Sequence, residues 1–188
     1  MKRQTIRHAR AASLSMLLLA ATLAFAAEEA VGVIYLKDRA MTLTAPKGWV
    51  LDDESGRPQG LQAVFYPAGS TWSAADTVMY VNNISRTIQP TLDALIAYDL
   101  ERQKEMSPTL QVRRTEPIRL PDGSSAPVNQ TSGDKWGNFE SVAYIDTSAD
   151  YLAIVLTAKT EAAYKSAQAA FAELVKSYRL LPPEAERR

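Results

Sequence analysis

The 188-residue chain has one histidine, His8, and no cysteine. Beyond residue 8 it offers neither an imidazole nor a thiol. That removes a histidine-assisted serine nucleophile, a cysteine nucleophile and the usual zinc site from its chemistry. Proton transfer would fall to carboxylates, lysines or tyrosines of shifted pKa. Asp53, Asp134 and Glu140 are the carboxylates a hydrolase or lyase would use. Ser132 with Lys135, and Ser166 with Lys165, are the near-sequence pairs for Ser–Lys catalysis. Neither lies in a recognisable motif, and adjacent helix positions such as 165 and 166 do not face each other. Asp52, Asp53 and Glu54, followed by Ser55 and Gly56, group oxygen ligands that suit a hard cation. The alternating Asp/Asn spacing of a Ca²⁺ loop is missing, so the better reading is a solvated acidic turn. No metal or cofactor is expected.

Binding chemistry is easier to place. The stretch Pro46–Trp72 spends two Trp and four Gly on a few turns. Trp72 and Trp136 sit in loops rich in Gly, Ser or Asp, where a Trp is either a binding anchor or a lid folded over the core. Trp49 reads as core. Asn82 and Asn83 lie within a strand, where Asn is disfavoured, and point to an open edge or a site. Tyr66, Tyr80, Tyr144 and Tyr151 either line a pocket with Asn82, Asn83 and Glu140 or pack a sheet face. The expected partner or ligand surface is therefore Asp52, Asp53, Glu54, Trp72, Asn82, Asp134 and Trp136. It would be carried by the loops Asp52–Gly60, Gly69–Trp72 and Gly133–Gly137 at one end of the fold.

The elements that must hold these loops follow from periodicity. Val31, Val33 and Tyr35 suit an edge strand. Met41, Leu43 and Ala45 alternate with Thr42 and Thr44, and Trp49–Leu51 follows the turn Pro46-Lys47-Gly48, so Met41–Leu51 is predicted to be a hairpin. Leu61–Tyr66 and Thr77–Ile84 read as strands. Thr91–Met106 is a helix with the stripe Leu92, Leu95, Ile96, Asp99, Leu100, Gln103. Gln111–Leu120 and Ala126–Ser132 flank the turn Pro121-Asp122-Gly123-Ser124. Phe139–Asp146 and Tyr151–Ala158 form a second hairpin, apolar on both faces and so placed at the sheet centre. Thr160 caps a last helix striped by Ala163, Ala167, Ala170, Phe171, Leu174, Val175 and Tyr178. Arg179–Leu181 suits a short final strand. The fold class is α+β: a curved antiparallel sheet of about six to eight strands with two main helices packed on it.

The N-terminus has the three-part layout of a signal peptide. Lys2, Arg3, Arg7 and Arg10 precede the apolar run Leu14–Phe25, which is shorter than the ~20 residues of a membrane span. Ala24-Phe25-Ala26 is a small-x-small cleavage site. Residues 1–26 hold four of the 21 basic residues and none of the 21 acidic ones, leaving 17 against 21. A mildly acidic chain without a basic run is a poor partner for nucleic acid. The expected organisation is a signal peptide at 1–26, one domain at 27–181 and a disordered tail at 182–188.

The order of elements resembles the Mog1/PsbP-like superfamily, which includes the DcrB-like exported proteins of bacteria. The opening strand into Pro46-Lys47-Gly48-Trp49 carries the resemblance. So do the helix Leu92–Met106 after several strands, and the hairpin Asn138–Ala158 leading into Ala162–Tyr178. Members of that superfamily bind a small GTPase or support a photosynthetic complex. The resemblance implies a non-catalytic accessory or binding module and transfers no catalytic residue. The reading is thus a periplasmic or secreted binding protein, its partner an envelope protein or a small ligand, not inserted in the membrane once the signal is cut. A carboxylate-dependent enzyme and a self-associating envelope component are the alternatives. Expression with export should yield a chain beginning at Ala27, and the intact mass of the purified protein checks it; a mass retaining residues 1–26 overturns the expectation.

Overall fold

The computed structural model describes residues 30–35, 39–147 and 149–181. The expected signal peptide and the expected tail at 182–188 lie outside the described residues. Among the described residues no helix is long and apolar enough to cross a membrane.

Strand β9 (Asp150–Ala158) is the spine of the molecule. Tyr151 to Leu156 are buried without interruption. Successive side chains point to opposite faces, so both faces of this strand must be covered. It therefore occupies the middle of a seven-stranded antiparallel sheet. The order is β3 (Trp49–Asp52), β4 (Ala63–Pro67), β5 (Thr77–Ser85), β9, β8 (Phe139–Asp146), β7 (Ser125–Ser132) and β6 (Gln111–Arg119). Leu152, Ile154 and Leu156 face helix α2 (Glu161–Lys176), whose Phe171, Leu174 and Val175 join the same core. Tyr151, Ala153 and Val155 face the opposite side, where Leu95 and Ile96 of helix α1 (Leu92–Met106) cover them. The two helices thus lie on opposite faces. Thr160 caps α2 as the sequence predicts, its hydroxyl accepting from Ala163 N, and Thr91 caps α1, its hydroxyl accepting from Ala94 N, both at 3.2 Å.

The predicted hairpin Met41–Leu51 does not form. β2 (Ala40–Thr44) is the middle of a separate three-stranded sheet, between β1 (Val31–Tyr35) and β10 (Arg179–Leu180), while β3 pairs only with β4. Both strands fit a half-buried pattern, and that pattern does not select a partner. What selects it is the corner at Pro46–Trp49. Trp49 N donates to Pro46 O at 2.9 Å, and Gly48 O accepts from Ala68 N at 2.8 Å, which fixes β3 against β4. Gly48 takes φ +81° there, a conformation other residues resist. β2 is left to climb over the sheet and lay Met41 and Leu43, both fully buried, onto the α2 side of the core. Ser177, just past α2, ties the layers together: its hydroxyl accepts from Thr44 N at 2.9 Å.

A clamp fixes the chain entering α1. The Arg86 guanidinium lies 4.3 Å from the centre of the Tyr151 ring. It donates to the Tyr151 hydroxyl at 2.9 Å and pairs with Asp146. That hydroxyl in turn donates to Gln89 O at 3.2 Å. The Asp146 pair is open to water and adds little; the ring contact and the hydrogen bond carry the clamp. Arg86→Ala should lower stability by about 2 kcal/mol in urea unfolding. A change under about 0.5 kcal/mol would show that the clamp is ornamental.

Candidate functional site

The strand register decides which loops share an end. β4 ends and β5 begins beside Trp49, the first residue of β3. β9 ends, and β8 begins, beside Thr77, the first residue of β5. Gly69–Trp72 and Gly133–Gly137 are therefore neighbours at one end of the sheet. Asp52–Gly60 joins the last residue of β3 to β4 and lies at the opposite end. The expected single surface is thereby divided, because antiparallel neighbours alternate their connections between ends. Asp53, expected to share acid–base chemistry with Asp134 and Glu140, is separated from both.

At its own end the acidic turn is self-satisfied. Asp52 Oδ1 accepts from Glu54 N and Ser55 N at 2.9 and 2.8 Å, and Oδ2 from the Ser55 and Tyr66 hydroxyls at 2.6 and 3.0 Å. The Ser55 donors hold this carboxyl at about 2, against the small opposing effect of burial. Asp53 pairs with Arg57 in water, and Glu54 is exposed. The cation proposed for this loop would have to displace the donors already on Asp52.

Loop 133–138 and the end of α1 frame a cavity of about 240 Å³ on the α1 side of the sheet. Tyr80 and Glu140 form its floor, Gln103 and Met106 of α1 one wall, Asp134 and Trp136 its rim. Trp72 stands edge-on to Tyr80, ring centres 6.2 Å apart at 84°. It is half-buried and props the floor. Trp136 is 67% exposed. Of the two readings open for a loop tryptophan, Trp72 takes the lid, while Trp136 does not fold over the core. Asn82 lies on the same face as Tyr80, opposite Ala153, exposed and outside the cavity lining. Asn83 points to the other face, where its amide reaches Asp150 at 3.3 Å.

Loop 133–138 is held by its own carboxylate. Asp134 Oδ1 accepts from Trp136 N at 3.1 Å and Asn138 N at 2.7 Å, and Oδ2 from the Asn138 amide at 3.2 Å. The α1–β6 connection braces it from outside: the buried Ser107 hydroxyl accepts from Lys135 N, and the Thr109 hydroxyl donates to Gly133 O. Gly133 has φ +75°, and an added Cβ would lie 2.9 Å from Thr109 O, so no larger residue fits. The Lys135 ammonium is drawn over the Trp136 ring, 4.3 Å from its centre. Ser107 and Met106 were hidden at the sequence level, and Gln103 was visible only as part of the stripe, because a helix end declares its stripe but not its neighbours.

Two acids, Asp134 and Glu140, line the cavity, and the charge of a third, Asp99 of α1, reaches Glu140. Asp99 accepts from the Tyr144 hydroxyl at 2.5 Å and from Gln103 at 3.1 Å. Burial pushes the Glu140 carboxyl up, a Thr157 hydrogen bond opposes this, and the Asp134 and Asp99 charges reinforce it. Burial, then the Glu140 and Asp99 charges, push the Tyr80 hydroxyl up as well. Glu140 is the carboxylate here without a full set of donors. A cationic group entering the cavity would meet an acid and two aromatic rings.

No family model and no curated protein matches the sequence. Solved structures do match in fold. The protein of unknown function PA94 from Pseudomonas aeruginosa is 16% identical, with a TM-score of 0.51 over 82% of this chain and 97% of that one. The cyanobacterial PsbP of Synechocystis sp. PCC 6803 is 16% identical, TM-score 0.49, over 82% and 95%. The Ran-binding protein Mog1p of Saccharomyces cerevisiae is 14% identical, TM-score 0.49, over 81% and 96%. The chain has an α+β fold like that of PA94, and the likeness is one of fold.

Because the folded pKa of Glu140 lies above its unfolded value, the folded state holds this proton more tightly. The associated stability is complete below the unfolded carboxyl pKa and is lost as pH rises through the folded one. Glu140→Gln should therefore raise the melting temperature at about pH 7.5 and leave it unchanged at about pH 3.5. Equal effects at both pH values would show that Glu140 is not desolvated.

Proposed function

We propose that this protein is an exported, non-catalytic binding module that seats a lysine or arginine side chain of a partner protein in the cavity beneath Trp136. The observation that carries the reading is the meeting of Glu140 and Asp134 on a small cavity floored by Tyr80 and rimmed by Trp136, with the charge of Asp99 reaching Glu140. Aromatic faces and half-buried carboxylates together favour a cation, and the ring contribution grows as water is excluded. An anchor side chain in a pocket is also how interfaces concentrate their affinity. The N-terminal layout of basic residues, apolar run and small-x-small site supports export to the periplasm or beyond.

A second reading has one observation in its favour: a raised carboxyl in a cavity is also what a general acid requires. Against it stands Asp134, whose oxygens accept three hydrogen bonds from its own loop. That leaves Glu140 without a free second carboxylate to act as base, which disfavours a paired acid–base enzyme.

The test uses a short Gly/Ser peptide with one central arginine, and the same peptide with neutral citrulline in its place. The arginine peptide should change tryptophan fluorescence and bind more tightly as pH rises through the Glu140 pKa, because a bound cation favours the ionised carboxyl. Trp136→Ala should weaken it about tenfold, and Glu140→Gln should remove the pH dependence. Equal binding of the citrulline peptide, or full affinity in Glu140→Gln, would overturn the proposal.

A further inference from the structure

The opposite face of the sheet carries a second concavity. On the α2 side the small sheet shields the β3 half of the core; Gly32 of β1 lies against Leu51. Over β6 and β7 there is no such layer among the described residues. A groove of about 630 Å³ remains between those strands and the first turns of α2, within the ~300–1,000 Å³ usual for small-molecule sites. One side is apolar: Phe139 and Tyr164 pack with ring centres 6.0 Å apart. The other is polar, with Arg113 and Gln130 on the strands and Glu161, Lys165 and Gln168 on the helix.

These polar groups form one directed relay. Arg113 donates to the Gln130 side-chain oxygen. The Gln130 amide donates to Gln168 Oε1 at 3.2 Å, and the Gln168 amide to Ser141 Oγ at 3.3 Å. Ser141, fully buried, shares a 2.7 Å hydrogen bond with the Tyr164 hydroxyl, which donates onward to Glu140 O at 3.2 Å. With Tyr164 donating to Glu140 O, the Ser141 proton goes to Tyr164 at 2.7 Å or back to Gln168 Oε1 at 3.5 Å, and the links from Arg113 as far as Gln168 point inward. The relay fixes the guanidinium by a neutral acceptor and leaves its charge unmatched: among the described residues no carboxylate pairs with Arg113. Lys165, by contrast, is matched by Glu161 at 2.6 Å. An oriented, uncompensated guanidinium beside an aromatic wall suits a planar anion on a carbon body, because its fork takes both oxygens of a carboxylate.

The geometry points to a binding site for a carboxylic acid of aromatic or aliphatic body in the groove between α2 and β6–β7, its carboxylate on Arg113. The site is separate from the cation cavity and does not rest on it. Free small acids and the C-terminal carboxylate of a peptide share this chemistry.

Phenylacetate, its neutral isostere phenylacetamide, and a tripeptide ending in Phe with a free or amidated terminus are the probes, titrated at constant ionic strength into the full protein. Side-chain amide NMR signals of Gln130 and Gln168 should shift with phenylacetate and not with phenylacetamide. If the peptide with the free terminus binds more tightly than phenylacetate, the source is a chain end; the reverse assigns a free acid. Arg113→Gln should weaken binding about tenfold or more, and Arg113 is exposed, so the fold should survive, as circular dichroism checks. Gln168→Leu, which breaks the relay without removing the charge, should weaken it less. Glu140→Gln should leave it unchanged, which separates this site from the cation cavity. Equal shifts with phenylacetamide, unchanged affinity in Arg113→Gln, or no binding of any acid at millimolar concentration would overturn the proposal.

Discussion

Strand β9 cannot tolerate water on either side. Its six consecutive buried residues would expose large apolar area if either face of the sheet were bare, at roughly 25 cal/mol per Å². Everything else answers that demand. β5 and β8 close its two edges. α1 covers the Tyr151 face, and α2 with the small sheet covers the Leu152 face. With no cysteine to staple the chain, this burial and the hydrogen bonds it shelters hold the fold.

The helices are narrower than the sheet, and the sites lie where their cover runs out. α1 leaves the Tyr80–Glu140 end open on one face, and α2 leaves the β6–β7 half open on the other. Both openings sit at the sheet end that holds loop 133–138. Glu140 belongs to both sides at once: its carboxyl enters the α1 cavity, while its carbonyl terminates the relay beneath α2. The loop itself is rigid for local reasons, the Asp134 side chain having replaced solvent for two backbone N–H groups.

Much of this was legible in the chain. Alternation alone placed Leu152, Ile154 and Leu156 against Tyr151, Ala153 and Val155, and Thr160 announced its helix. Partner choice was not legible. Met41 and Leu43 carry the period of a half-buried strand, which fits a hairpin with β3 as well as a second layer, and the difference lies in long-range packing. The sheet ends were equally silent. Asp52–Gly60 and Gly133–Gly137 read alike as polar, Gly-rich loops, and only the register sends them apart. Asp99 and Gln103 were visible as polar intrusions in an apolar stripe. Their meaning needed Tyr144, which lies on the third strand after their helix.

The pairing of β5 with β9 has a kinetic side. Thr77 meets Ala158 and Ser85 meets Asp150, so the centre of the sheet joins segments from the two halves of the chain. Until β9 has been synthesised, β5 has β4 on one edge and an unpaired ladder on the other. The apolar face of α1 likewise lacks the strand it covers. Such non-local closure slows folding and leaves the amino-terminal half open to proteases and chaperones for longer. A ribosome must release nearly the whole domain before any part of it can settle.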